Sequence, residues 1–231
     1  MRLSTLYARN LLRYGRIDPI EYLVSHEMKL VYVPIAKAGC TAIKQALLPD
    51  LSYGNLGLDE FHRQVARRMT RRRPGHLDNY LWFTFAREPA RRLASCHADK
   101  IVGGGGIFAT RAQKAIFRLC AGAPAQDASL VAFAEAVADI PDRLRDRHIA
   151  EQAPVLRTVI SAPRHFVGRI EMLARDWERL QEHASLPEIT RLNTSTPIAS
   201  NAMEYPAFQA AIARAYASDI AMLRDLAGTP T

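Results

Sequence analysis

Two short stretches of this chain combine residue types that can hold a phosphate-like anion. In the first, Lys37 and Thr41 bracket the small residues Ala38, Gly39 and Cys40, with Ala42 directly after. Small side chains let backbone N–H groups approach an anion. A lysine at the bend adds a point charge, and a threonine at a helix start adds a hydroxyl and a further N–H. GxxxxGK[ST] is absent, so this is not a Walker A loop. An ordinary turn with a surface lysine fits the same spacing. In the second stretch, Arg87-Glu88-Pro89 is followed by Ser95. With Pro89 in the first turn of a helix, Arg87 sits at its mouth and Ser95 about two turns in. Arginine can grip a phosphate with a bidentate fork. A surface Arg–Glu pair beside a helical serine would look the same.

The elements that must position these residues follow from apolar runs and breakers. Lys29–Ile35 is short, apolar and β-branched, which predicts a buried strand, and Ala42–Leu48 predicts a helix stopped by Pro49. Strand, tight loop and helix is the unit that gathers N–H groups around an anion. Tyr80–Ala86 predicts a second strand, and the helix after Pro89 runs toward Ile101. Residues 50–79 read as loop-rich, Gly103–Gly106 as a flexible connection, and 110–121, 128–140 and 142–159 as helices. Arg164–Gly168 predicts a third strand and Glu171–Ala184 a helix. Residues 185–204 form a polar loop, and Tyr205–Leu226 a last helix. The βα alternation predicts an α/β fold: one domain over residues 1–231, with a central parallel sheet flanked by helices.

Composition bounds the partners. The chain has 231 residues, 48% of them hydrophobic, and a formal net charge of +8, which excludes a disordered chain and favours anionic partners. Cys40, Cys96 and Cys120 are too few and scattered for a disulfide framework, and no CxxC pair suggests zinc. A reducing, cytoplasmic compartment is the simpler reading. The N-terminus carries Arg2, Arg9, Arg13 and Arg16 without an apolar signal core, and no apolar run reaches the roughly 20 residues of a membrane span.

Taken together, the two stretches resemble a known family. VPIAKAGCTAIK resembles the 5′-phosphosulfate-binding loop of the carbohydrate sulfotransferases, chondroitin/dermatan-type and their bacterial relatives, whose core reads PKxxCT or PKxGST. FTFAREPARRLASCHADKI resembles their 3′-phosphate segment, FVRDPxxRLxSAYxxK. Arg87, Pro89, Arg92, Leu93, Ser95 and Lys100 fall on matching positions. HFVGRIEMLARDWERL looks like FxGxxExLxxDW, and Asp146-Arg147-His148 with Gln152 looks like xxHWxPQ. The resemblance runs with gaps over about residues 29–226. Ala36 stands where the family often has Pro, Glu88 replaces Asp, and Cys96-His97 replaces Ala-Tyr.

The resemblance implies a P-loop-like sulfotransferase fold and 3′-phosphoadenosine-5′-phosphosulfate (PAPS) as sulfuryl donor, with a hydroxyl of a carbohydrate-like molecule as acceptor. Lys37 would contact the sulfate and bridging oxygen. The N–H groups of Ala38, Gly39, Cys40, Thr41 and Ala42, with the Thr41 hydroxyl, would hold the 5′-phosphate. Arg87 and Ser95 would bind the 3′-phosphate, so their loss should weaken 3′,5′-bisphosphate ligands yet spare adenosine 5′-phosphosulfate. Arg191, Asn193 and Ser195 fall in a late loop near the 3′-phosphate and adenine.

The acceptor hydroxyl needs a base, and histidine titrates near neutrality. Of seven histidines, His62, between the two cofactor stretches, ranks first and His148 second. No metal is demanded, since Lys37 and loop N–H groups can supply the positive field. The run Arg67–Arg73 reads either as a solvated basic face or as a patch for an anionic saccharide. Two rivals stand beside this reading. One is a P-loop-like nucleotide kinase or NTPase, which lacks Walker A and a clear Mg²⁺-binding Asp. The other is a non-catalytic binder of nucleic acid or polyanions, which predicts steep salt dependence and no nucleotide preference.

Overall fold

The apolar run ending at Ala86 becomes strand β4 (Leu81–Ala86), buried at every position. It pairs in parallel with β2 (Leu30–Tyr32) on one side and β5 (His165–Arg169) on the other. β1 (Tyr22–Ser25) adds antiparallel to β2, and β3 (Met69–Thr70) antiparallel to β1. The sheet order is β3-β1-β2-β4-β5, three parallel strands with an antiparallel edge. The structure is a computed structural model and describes residues 3–51, 53–75, 77–104, 107–122, 127–189 and 201–228.

Alternation along the strands sorts the core into two faces. Leu30, Tyr32, Leu81, Phe83 and Phe85 pack with Ile43 and Leu47 of α2 (Cys40–Leu47), Phe61 and Val65 of α4 (Leu58–Arg68), and Trp177 and Leu180 of α9 (Leu173–Gln181). The intervening Val31, Val33 and Trp82 pack with Tyr22 and with Val159 of α8 (Ala153–Ile160). The Trp177 ring lies 6.1 Å from Phe85 and 6.5 Å from Phe83. Burial of each such side chain contributes about 1.5–3 kcal/mol. At Gly168, which pairs with Phe85, a Cβ would fall 2.7 Å from Cδ1 of that ring, so only glycine fits.

By backbone contacts the chain divides into two compact units. One, Ile20–Arg87 with Pro154–Thr194, holds the sheet, α2, the short α3 (Tyr53–Leu56), α4 and α9. The other comprises Met1–Pro19, Glu88–Ala153 and Ser195–Thr231. It holds α1 (Leu3–Tyr14), α5 (Pro89–His97), α6 (Arg111–Ala121), α7 (Leu130–Asp139), α10 (Asn201–Glu204), α11 (Pro206–Ala215) and α12 (Ala217–Gly228). Its own core centres on Phe108, Phe117 and Phe133, with Leu93, Phe208 and Ile212.

Several elements differ from the sequence expectation. Residues 50–79 are not mainly loop, because Phe61 and Val65, one turn apart, bury a stripe of α4. The segment 142–159 is not one helix. It forms a 3₁₀ turn at Asp142–Leu144 and an irregular stretch before α8. There the Asp146 carboxylate accepts the His148 N–H at 3.0 Å, in competition with helical pairing, and Pro154 fits only a first turn. The last helix breaks at Tyr216, between α11 and α12, where the Arg145 guanidinium takes the Ala215 carbonyl at 2.7 Å.

Candidate functional site

The loop after β2 has an uncommon backbone. Lys37 lies at φ 67° and Gly39 at φ 74°, both in the left-handed region. For the lysine this costs roughly 1–2 kcal/mol, which the surroundings must over-determine. The Ala38 N–H closes the turn onto the Ile35 carbonyl at 3.3 Å. Gly39 caps α2 and accepts the Ile43 N–H at 3.2 Å, so the N–H groups of Cys40, Thr41 and Ala42 precede the first intrahelical donor. Left-handed residues next to a helix start form an anion-binding concavity. The positive φ of Gly39 favours glycine there, and the Ile170 side chain packs against it, so a Cβ would displace the Ile170 terminal methyl.

Arg87 directly follows β4 in the same unit. Its Nη1 donates to the Lys37 carbonyl at 2.9 Å, so the lysine's strained peptide is tied to the neighbouring strand. Both side chains are half-buried. The residues thus fit the tetrahedral anion that the sequence suggested: a cation, the N–H groups of a helix's first turn and a hydroxyl after the carboxyl end of a parallel strand, where α/β folds bind ligands.

Glu88 caps α5, accepting the N–H groups of Ala90 at 2.9 Å and Arg91 at 2.7 Å, one per carboxylate oxygen. Pro89 occupies the first turn. The longer Glu side chain therefore performs the capping that Asp ordinarily performs. Ser95 lies in α5 and is 2% exposed. After His97 the helix widens into a π turn, Ala98–Val102, which carries Lys100.

The segment Asp146–Ala153 is held almost wholly by buried polar groups. His148 Nδ1 lies 2.5 Å from Asp146 Oδ1. Burial would raise the Asp146 carboxyl, but the charge and hydrogen bonds of His148, with Arg147, outweigh it and hold the group below its ordinary value. An ionised acceptor at Nδ1 leaves Nε2 as the basic nitrogen. Arg147 pairs with Asp18, its Nε donating at 2.8 Å. Arg92, 1% exposed, donates to the carbonyls of Arg147 and His148 at 3.5 Å each and to that of Ala150. Asp219 accepts the N–H groups of Gln152 and Ala153 at 2.7 Å each, and the Gln152 side-chain amide. Burial pushes the Asp219 carboxyl up, only partly countered by Arg92. The Tyr216 ring lies under both Arg92 and Arg145, at 5.4 and 5.6 Å.

Sequence reading found Arg92, His148 and Gln152 but missed Arg145, Tyr216 and Asp219, whose partners lie far along the chain. An apolar helix carrying a lone Asp219 in its first turn was the available signal.

The other histidines sort by environment. His26 bonds the Tyr80 hydroxyl at 2.9 Å, His97 the Ala128 carbonyl at 2.7 Å, and His165 the Ala162 carbonyl at 2.8 Å. His62 is half-buried in α4, its ring against Phe61. His76, Arg191, Asn193 and Ser195 lie outside the described residues. The Arg67–Arg73 run is not a uniform patch. Arg68 pairs bidentately with Asp50 and Arg71 with Glu21. Arg73 bonds Ser161 and covers the Trp82 ring, while Arg67 and Arg72 are exposed.

The FxGxxExLxxDW-like segment has a structural logic too. Asp176 accepts the Arg169 N–H at 2.8 Å, which ties α9 to the end of β5, and Trp177 donates to the Pro187 carbonyl at 3.0 Å, which holds the segment after α9. Among the described residues, no group of three or more His, Cys, Asp or Glu side chains could hold a metal ion, and no helix is long and apolar enough to cross a membrane.

Comparison with curated proteins and with solved structures gives no significant match. A family model, the sulfotransferase family, matches residues 21–225, from β1 through α12 and across both candidate anion-binding stretches. With the α/β sheet, the strained lysine loop and the arginine tied to it, this establishes that the chain belongs to the sulfotransferase family.

Proposed function

We propose that this sulfotransferase takes its sulfuryl group from PAPS and delivers it to a hydroxyl of a carbohydrate-like acceptor. The observation that carries the donor assignment is the loop of Lys37–Ala42, where left-handed backbone leads into a helix start, so that the first-turn N–H groups of α2 follow directly on a lysine. The acceptor class rests on resemblance to the chondroitin/dermatan-type segments. The family match runs through both compact units and supports one sulfotransferase-like domain. A reducing, cytoplasmic setting completes the reading and suits three free thiols.

In this reading the donor supplies an activated sulfuryl group, and the chain supplies charge and placement. Lys37 balances charge on the 5′-phosphate oxygen as its bond to sulfur breaks. The N–H groups from Gly39 to Ala42 and the Thr41 hydroxyl hold that phosphate, while the Ala38 N–H, expected there from the resemblance, closes the turn onto the Ile35 carbonyl. Arg87 and Ser95 read the 3′-phosphate, and Arg191, Asn193 and Ser195 serve the nucleotide from the late loop. A histidine takes the acceptor proton. We assign that role to His148 ahead of His62, because Asp146 fixes its Nδ1.

A thermal-shift panel tests the donor assignment against both rivals. The product nucleotide, adenosine 3′,5′-bisphosphate (PAP), at about 100-fold over its dissociation constant adds ~2.7 kcal/mol. For a chain this long that raises Tm by about 5 to 10 °C. ATP should give much less. A larger shift with ATP would favour the kinase or NTPase rival. Equal, small, salt-sensitive shifts with every nucleotide would favour the polyanion binder. No shift with millimolar PAP on folded protein overturns the assignment.

A further inference from the structure

Arg87 has two surroundings to serve. A guanidinium carries five N–H donors in a rigid fork. One of them, on Nη1, is engaged at 2.9 Å by the carbonyl of Lys37. That carbonyl belongs to a residue in the left-handed region, at φ 67°, a conformation a lysine does not keep without outside support. Arg87 itself extends directly from β4, whose six residues are all buried, so its anchor is rigid. On the far side of the turn, the side chain of Ile170, directly after β5, packs against Gly39. The loop is therefore pinned at two points, one polar and one steric, both built on the carboxyl ends of parallel strands.

We propose that Arg87 is a positioning residue for Lys37 and for the 5′ half of the donor site, in addition to reading the 3′-phosphate. Occupying the 3′-phosphate subsite then stiffens the loop that carries Lys37, because one side chain serves both. This rests on the donor reading of that loop, and it reverses the sequence expectation that loss of Arg87 spares a ligand without a 3′-phosphate.

The experiment compares wild type with Arg87→Ala, Arg87→Lys and Ser95→Ala. Two probes are titrated calorimetrically: PAP and adenosine 5′-phosphosulfate, which has no 3′-phosphate. Amide hydrogen exchange of residues 36–42 is followed without ligand, and a melt confirms each variant is folded. Arg87→Ala should lose about tenfold or more in affinity for both probes and should exchange faster in the loop. Ser95→Ala should lose affinity for PAP alone. Arg87→Lys keeps a charged donor group but no planar fork, so it should restore loop protection and adenosine 5′-phosphosulfate binding while PAP stays weakened. Unchanged exchange together with unchanged adenosine 5′-phosphosulfate affinity in Arg87→Ala overturns the proposal. Should wild type bind neither probe, the donor reading falls, and the exchange rates alone still decide whether Arg87 braces the loop. Should Arg87→Ala fail to fold, Arg87→Lys against Arg87→Gln, which has a shorter and uncharged donor, decides on the same two readouts.

Discussion

At the residue scale, the Asp146–His148 pair is the best defined proton site among the described histidines. Asp146 stays ionised because His148 and Arg147 outweigh its burial, and it is 5% exposed, so its orientation is fixed. The His62 ring lies 5.7 Å from that of Phe61. Removal of a general base typically costs ~10²–10⁴-fold in rate. His148→Ala should therefore lose turnover on that scale and keep its PAP affinity. His62→Ala should keep both. Asp146→Asn should fall between, with its pH–rate profile displaced, which a purely structural role would not produce. The measurement is single-turnover sulfuryl transfer with any competent acceptor, for these variants and for His76→Ala. A dead His62→Ala or His76→Ala beside an active His148→Ala moves the base and leaves the family assignment standing.

At the scale of elements, the start of α5 is the clearest local device. Glu88 satisfies two of the N–H groups that a helix leaves open at its first turn, and Pro89 pre-sets the backbone after it. Loss of an N-cap costs about 0.5–2 kcal/mol. Glu88→Ala should lower unfolding stability by about 1 kcal/mol in urea, and Glu88→Asp should recover most of it. An Ala variant as stable as wild type would show that the cap contributes nothing. This helix start was legible in the sequence because its signals are local: a proline, a carboxylate and the apolar strand before them. β2, β4 and β5 were legible for the same reason, as apolar runs ended by small or charged residues. β1 and β3 were not, since both are short and β3 finds its register only against β1, Thr70 opposite Tyr22, far along the chain. α4 escaped notice because its stripe is narrow, Phe61 and Val65 amid nine more polar or less buried positions. In the site, the residue types of the Lys37 loop could be read, but the tie from Arg87 to the Lys37 carbonyl could not. It joins residues 50 positions apart through a backbone atom, and backbone atoms carry no sequence code.

At the scale of the whole molecule, buried carboxylates make stability depend on pH in opposite directions. Asp146 is held below its ordinary value in the folded state, chiefly by His148 against the upward push of burial. Its contribution is fully present above the unfolded carboxylate value of about 3.9 and is lost as pH falls through the lower folded value. Asp219 is pushed above its ordinary value by burial. Its contribution is present below that unfolded value and is lost as pH rises through the higher folded value. Asn at each position keeps the shape and removes the titration, so each variant subtracted from wild type isolates one group. For Asp146→Asn, the wild-type advantage should shrink as pH drops below about 4. For Asp219→Asn, wild type should lose ground as pH climbs from about 4 toward neutrality. Urea unfolding at a series of pH values, at fixed ionic strength so that the +8 net charge is screened alike, reads both slopes. Slopes of the same sign would mean that Asp219 is stabilised rather than penalised by its contacts with Gln152, Ala153 and Arg92. The buried network behind His148 would then be a source of stability at neutral pH, whereas the opposite slopes expected here make it a scaffold that trades stability for a fixed position of the Asp146–Ala153 segment.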